Sequence, residues 1–302
     1  MYRVHGRSAL GCGVGALVAS VTAAPTCWGA IIPPGVHARA EALEWISPWM
    51  GIGQQDIDAG VVIGPSVVAH ATAGMAASGK TDAIAFADYG FLVNTGTTVG
   101  SYTVPSGRAM YAQAITDTSF RDDQVVVLSD SVAPGTPGVL QAEYELDRIV
   151  DFDISSIAGF AGDAVVVGGF SIDVVIGSYA VNYTGTWTYD AVTGILVDPG
   201  LPNGLVQALV PFQYGVPFTI GAAVEMKLTV YAEGPTTIQA DTQLSLGPSF
   251  VWQGITDGLP DDATVSSNVV PDWRKPYGIP APGAGAALVL MAGGIASRRN
   301  RR

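Results

Sequence analysis

The sequence predicts a mainly β fold, an antiparallel, jelly-roll-like β-sandwich. A cleaved N-terminal signal and a short C-terminal apolar helix frame it. Three observations carry this expectation. Period-two alternation of apolar and polar residues recurs between positions 60 and 270. Gly, Pro, Asp and Asn interrupt it at short intervals, as turns require. The basic residues at the two ends flank apolar runs, which is how membrane-handling signals are built.

Composition removes several classes at once. The 302 residues include 14 Lys plus Arg and 26 Asp plus Glu, a net charge of −12. Hydrophobic residues make up 48%, enough to build a core, so disorder is excluded. No basic field exists to attract phosphates, so nucleic acid is excluded as a partner. The 2 Cys cannot staple a chain of this length. Six of the basic residues are Arg3, Arg7, Arg298, Arg299, Arg301 and Arg302, so the body between them is more acidic than the whole.

At the N-terminus, Arg3, His5 and Arg7 form a basic head and residues 8–22 an apolar stretch rich in Ala, Gly, Val and Leu. A spanning helix needs ~20 apolar residues, so this run reads as a secretory signal. Val21, Thr22 and Ala23 supply the side chains signal peptidase accepts, and cleavage is expected after Ala23. Cys12 then leaves with the signal, and Cys27 remains, read first as an incidental free thiol and in the alternative as half of an intermolecular bridge.

Residues 24–59 read as an N-terminal extension, with 36–46 as the best helix candidate in the chain. The body, 60–272, reads as strands. Residues 124–129, 139–146, 164–167, 171–176 and 181–189 come first; in the last, Tyr183, Trp187 and Tyr189 share a face. Residues 224–231 follow, with Glu225, Lys227 and Thr229 on the polar face, then 236–246 and 250–255.

The chemical motifs have bland explanations. Gly74, Gly79, Lys80 and Thr81 complete a G-x-x-x-x-G-K-T phosphate-loop pattern, and residues 125–130 imitate an apolar strand ending in an acid. That mechanism needs a helix after the loop, whereas residues 82–104 read as β and turn. His37 and His70 lack a metal-site spacing or a G-x-S-x-G elbow. The pairs Asp56 and Asp58, Asp122 and Asp123, Asp151 and Asp153, and Asp261 and Asp262 read as solvated turn acids. Calcium is the one ion they could hold, without the loop spacing that would assign it. Of Trp45, Trp49, Trp187, Trp252 and Trp273, Trp187 and Trp252 are expected in the core. No catalytic, cofactor or metal residue is assigned, and a non-enzymatic protein is expected.

The C-terminus is the most specific segment. Pro280, Ala281 and Pro282 close a linker over 273–282. A Gly- and Ala-rich apolar stretch over 283–297 follows, then Arg298, Arg299, Asn300, Arg301 and Arg302. The prolines keep the segment before the apolar run extended, and the arginines hold the tail on the cytoplasmic side. This tripartite tail, 279–302, resembles the PEP-CTERM sorting signal of bacterial surface proteins, with Ala281 where that family usually has Glu. Two body phrases, Ser119 to Val125 and Pro211 to Phe218, resemble the β-sandwich ectodomains found ahead of such tails. The resemblance implies processing near Pro282 by an exosortase-like enzyme after transient membrane insertion of segment 283–302. It also implies delivery to the cell surface or extracellular matrix, and a structural or adhesive role in an exopolysaccharide or biofilm layer. Two alternatives stand beside it. One is a carbohydrate-binding module using exposed aromatics and calcium; the other is a secreted hydrolase using paired acids.

Overall fold

A computed structural model describes residues 34–46, 53–62, 66–74, 79–158, 164–190, 193–200 and 203–277. Among them the chain forms strands throughout. In order these are β1 (Gly35–Ile46), β2 (Gly53–Val62), β3 (Ser66–Ala73), β4 (Gly79–Asp88), β5 (Phe91–Val104), β6 (Ala109–Leu128), β7 (Pro137–Leu146), β8 (Ile149–Ala158), β9 (Ala164–Ile176), β10 (Tyr179–Asp190), β11 (Ile195–Val197), β12 (Gly204–Gln213), β13 (Phe218–Glu233), β14 (Thr236–Asp257) and β15 (Thr264–Ser266). The first sheet has the order β11-β10-β9-β13-β6-β1-β2, with β15 beside β6. The second has the order β12-β7-β14-β5-β4-β3, with β8 beside β14. Every pairing is antiparallel.

Segment 36–46, expected as a helix, is strand β1. Its Ala and Glu content suits a helix on propensity, but its pattern has period two. Val36, Ala38, Ala40, Ala42 and Glu44 are buried, and the residues between them face out. Pairing with β2 on one side and β6 on the other fixes that choice, because burial of a strand face outweighs intrinsic preference. The packed body also reaches past 272: Trp273 is buried, and the segment as far as Tyr277 lies against the second sheet.

The inward faces of both sheets contribute to a single hydrophobic core. Its composition is graded. Where β1, β3 and β4 meet, the inward residues are small: Ala38, Ala40 and Ala42; Ala69, Ala71 and Ala73; Ala83, Ala85 and Ala87. At the other end lie Phe120, Tyr144, Phe250, Trp252 and Trp273. Tyr144 stacks on Phe250 at 5.3 Å and Phe120 on Trp273 at 6.2 Å. Gly96 of β5 marks the close approach between sheets: a Cβ there would lie 2.8 Å from the Ala114 Cβ and 3.2 Å from the Met226 Cε.

Buried polar side chains link the sheets. Asn94 of β5 donates Nδ2 to the Val224 carbonyl at 2.9 Å, and its Oδ1 accepts the Thr118 hydroxyl at 2.8 Å. Glu44 of β1 is fully buried and accepts Thr81 Oγ1 at 2.8 Å and Tyr102 OH at 2.9 Å, both from the second sheet. That carboxylate and burial together push the Tyr102 hydroxyl far above its ordinary range, chiefly through desolvation.

Gly96→Ala is expected to destabilise the chain by ~1–3 kcal/mol through overpacking, even though Ala restricts the unfolded chain more than Gly. Adding Ala114→Gly to it should recover part of the loss. Urea denaturation of the two single variants and the double variant measures this; a Gly96→Ala chain as stable as its parent would remove the close-approach argument.

Candidate functional site

The chemistry-bearing groups concentrate on the outer face of the first sheet. Alternation sends Arg39 and Glu41 outward from β1, Asp117 from β6, and Glu225 and Lys227 from β13. Register aligns them: Arg39 stands opposite Asp117, and Asp117 opposite Glu225. One step along, Glu41 and Lys227 flank Ile115. Arg39 reaches Glu41 at 2.6 Å and Asp117 at 3.5 Å.

The row leaves its carboxyls unequally matched. Burial raises Asp117 above the ordinary carboxylate value, and Arg39 opposes the rise. Glu225 is pushed up to about 7, mainly by burial and then by the charge of Asp117. Its Oε2 is buried without a hydrogen-bond partner. Burial also lowers the Lys227 ammonium, against the pull of Glu225 and Glu41. A carboxyl of this kind holds or releases a proton near neutrality, the property general acids and bases share.

An aromatic row borders the charged one. Trp45 of β1 stacks on Tyr111 of β6 with centroids 5.0 Å apart and planes 11° from parallel. Tyr111 meets Tyr231 of β13 at 4.9 Å, and the Tyr231 hydroxyl donates to Glu233. Trp187, Trp252 and Trp273, by contrast, are buried, and Trp49 lies outside the described residues.

The end of the phosphate-loop pattern is a strand, and residues 75–78 lie outside the described residues. Gly79, Lys80 and Thr81 open β4, where the mechanism would require a helix. Lys80 pairs with Asp82 at 2.7 Å and Thr81 bonds to Glu44. Gly79 is small because a Cβ there would run into the Tyr102 ring. The histidines stay apart. His37 lies 3.2 Å from the Pro34 carbonyl. His70 presents the same Nε2 to Thr72 at 3.3 Å and to Asp82 at 3.6 Å.

Of the acid pairs, Asp122 and Asp123 separate, and the side chains of Asp56, Asp58 and Asp153 lie outside the described residues. Asp122 points inward and accepts Trp273 Nε1 at 3.0 Å, whereas Asp123 points outward to Arg121 at 2.7 Å. Asp262 accepts Ser129 Oγ and the Ser131 amide, both at 2.9 Å. Among the described residues, no three His, Cys, Asp or Glu side chains gather as a metal site would need. A groove of about 520 Å³ lies elsewhere, lined in part by Ala263, Val265, Asp272, Arg274 and Lys275. Ala23, Cys27, Pro280, Ala281, Pro282 and the four terminal arginines lie outside the described residues. Within those residues no helix is long and apolar enough to cross a membrane.

No family model, curated protein or solved structure matches this chain. The outer-face cluster was half visible in the sequence: Glu225 and Lys227 were placed on the polar face of a strand. Arg39 and Glu41 were missed with the helix assignment, although V-H-A-R-A-E-A alternates with period two.

Glu225 makes stability depend on pH with a definite sign. The folded chain keeps its proton up to about 7, while an unfolded glutamate releases it near the ordinary 4.5. The folded state therefore binds more protons between those values, and its stability falls as pH rises through them. Asp117, also raised, adds the same sign. Glu225→Gln should flatten this part of the melting-temperature profile and raise the melting temperature at pH 8 relative to the parent. Parallel profiles for parent and variant would exclude the assignment.

Proposed function

We propose that this chain is an exported, non-enzymatic protein with a jelly-roll-like β-sandwich body. It is sorted by its C-terminal signal to the bacterial cell surface or extracellular matrix, where it is structural or adhesive. The observation that carries the reading is the way the body ends. Residues 271–277 form a strap over one end of the sheets. The Trp273 amide donates to the Val265 carbonyl, and the Tyr277 amide to the Trp252 carbonyl, each at 2.8 Å. Trp252 Nε1 donates to the Trp273 carbonyl at 2.9 Å. The Tyr277 ring stacks on Phe91 at 5.3 Å, and its hydroxyl donates to Asp88 at 2.6 Å.

The fastened part therefore reaches Tyr277, and Gly278 and Ile279 alone separate it in sequence from Pro280, Ala281 and Pro282. A body fastened down as far as Tyr277 suits a tail that serves as a separable signal. The processing enzymes are signal peptidase and an exosortase-like transferase, and exopolysaccharide is the surrounding matrix the tail implies. The acidic, two-sheet body suits that setting, since net charge keeps an exported protein soluble.

Mass spectrometry of the native protein from its producing bacterium tests the reading. The expected product begins at Ala24 and ends near Pro282. A mature protein retaining Arg302 would overturn sorting by cleavage. Pro280→Ala with Pro282→Ala should leave the tail attached and keep the protein in the membrane fraction.

A further inference from the structure

The two sheets end differently. At one side β2 and β3 lie against each other. At the other, β12 closes the second sheet with a ladder neighbour, β7, on one side only among the described residues, and it approaches β10 of the first sheet. Ten residues long, β12 carries no charge, in a chain with 26 acidic residues. An open, uncharged edge offers a row of unpaired peptide groups to another strand.

The direction of those groups follows from two prolines and one hydrogen bond. The Tyr214 amide donates to the Thr136 carbonyl at 3.0 Å. Even-numbered positions of β12 therefore turn their peptide groups toward β7, because these alternate along a strand. Pro211 opposite Val139 and Pro137 opposite Gln213 agree, since both sit where no ladder donor is needed. With no register shift along the pair, the amides and carbonyls of Leu205, Gln207 and Leu209 point to the open side.

The side chains on that edge are self-complementary. Leu205 and Leu209 face outward at 58% and 67% exposure, with Gln207 midway between them. Read from Gln207, the edge is the same in both chain directions. Exposed Val139 lies beside it on β7. Such an arrangement matches a two-fold axis, where one patch meets itself.

We infer that β12 pairs antiparallel with β12 of a second copy of this chain, with Gln207 at the two-fold axis. Leu205 of one copy then stands opposite Leu209 of the other, twice. Each of these pairs, and the central glutamine pair, exchanges two backbone hydrogen bonds. The two seven-stranded sheets become one continuous sheet. Pro211, lacking an amide, ends the ladder on each side. The absence of charge on β12 keeps like charges off the two strands that meet, and Glu143, which accepts the Gln207 side-chain amide at 2.7 Å, stands one strand back in each copy.

Sedimentation velocity of the full chain across a concentration series is the test. The parent is expected to dimerise. Gln207→Pro removes an outward amide and no internal ladder bond; Leu209→Lys places like charges beside the axis. Each should weaken the dimer by about tenfold or more with melting temperature unchanged. Leu128→Lys, at an exposed apolar position on β6, should leave it intact. Gln207→Cys, with Cys12 and Cys27 replaced by Ser, should cross-link two copies on oxidation. A parent that stays monomeric throughout, whether its edge is bare or covered by another segment or protein, overturns the inference. So does a dimer unaffected by both edge variants.

Discussion

The close approach of the two sheets governs the rest of the architecture. Small residues on facing strands let the sheets come together, and Gly96 against Ala114 shows how little room remains. Alanine contributes little apolar area, so this part of the core cannot rely on hydrophobic burial alone. Directional bonds supplement it. Asn94 bridges from β5 to β6 and β13, and Glu44 collects hydroxyls from Thr81 and Tyr102. Each link is buried, so loss of one partner would strand the other without solvent. Gly79 belongs to the same arrangement, because the Tyr102 ring that reaches Glu44 occupies the space above it.

Away from the alanines, large rings fill the space between the sheets. Strands alone do not close that space: Trp273 arrives from the strap after β15 and stacks on Phe120. Its indole nitrogen finds Asp122, which in turn accepts the Gln124 amide at 3.1 Å. A buried carboxylate thus receives donors from the strap and from its own strand. The strap is therefore part of the core, which reaches at least to Tyr277.

Legibility in the sequence followed the strength of local alternation. Residues 181–189, with Tyr183, Trp187 and Tyr189 on one face, appear as β10 with those rings against the core. Residues 164–167 and 171–176 were separate in the sequence because Gly168 and Gly169 look like a turn. They are one strand, since Leu244 and Phe152 pack where a Gly168 side chain would stand. Strand β1 was hidden by its alanines, which carry helical propensity and so masked a period of two. The outer-face cluster was beyond reach for a different reason. Arg39, Asp117 and Glu225 are far apart in sequence, and only the register of three strands aligns them.

The acids of the body divide by their donors. Asp198 receives Arg148 through both oxygens at 3.0 and 3.1 Å, Trp187 Nε1 at 3.1 Å and the Gly200 amide at 2.9 Å. These bonds hold it below its ordinary range, the Gly200 amide foremost. Asp262, fully exposed, is lowered by the hydroxyls and amides of its serine neighbours. Both carboxylates fix a loop by accepting donors that would otherwise face water. Glu225 has no such donor at Oε2, and its proton affinity rises. One residue class thus serves two physical ends within this body. Where loop amides converge on a carboxylate, negative charge fastens the chain. Where a flat sheet face crowds carboxylates together, the same charge works against the fold until a proton is taken up.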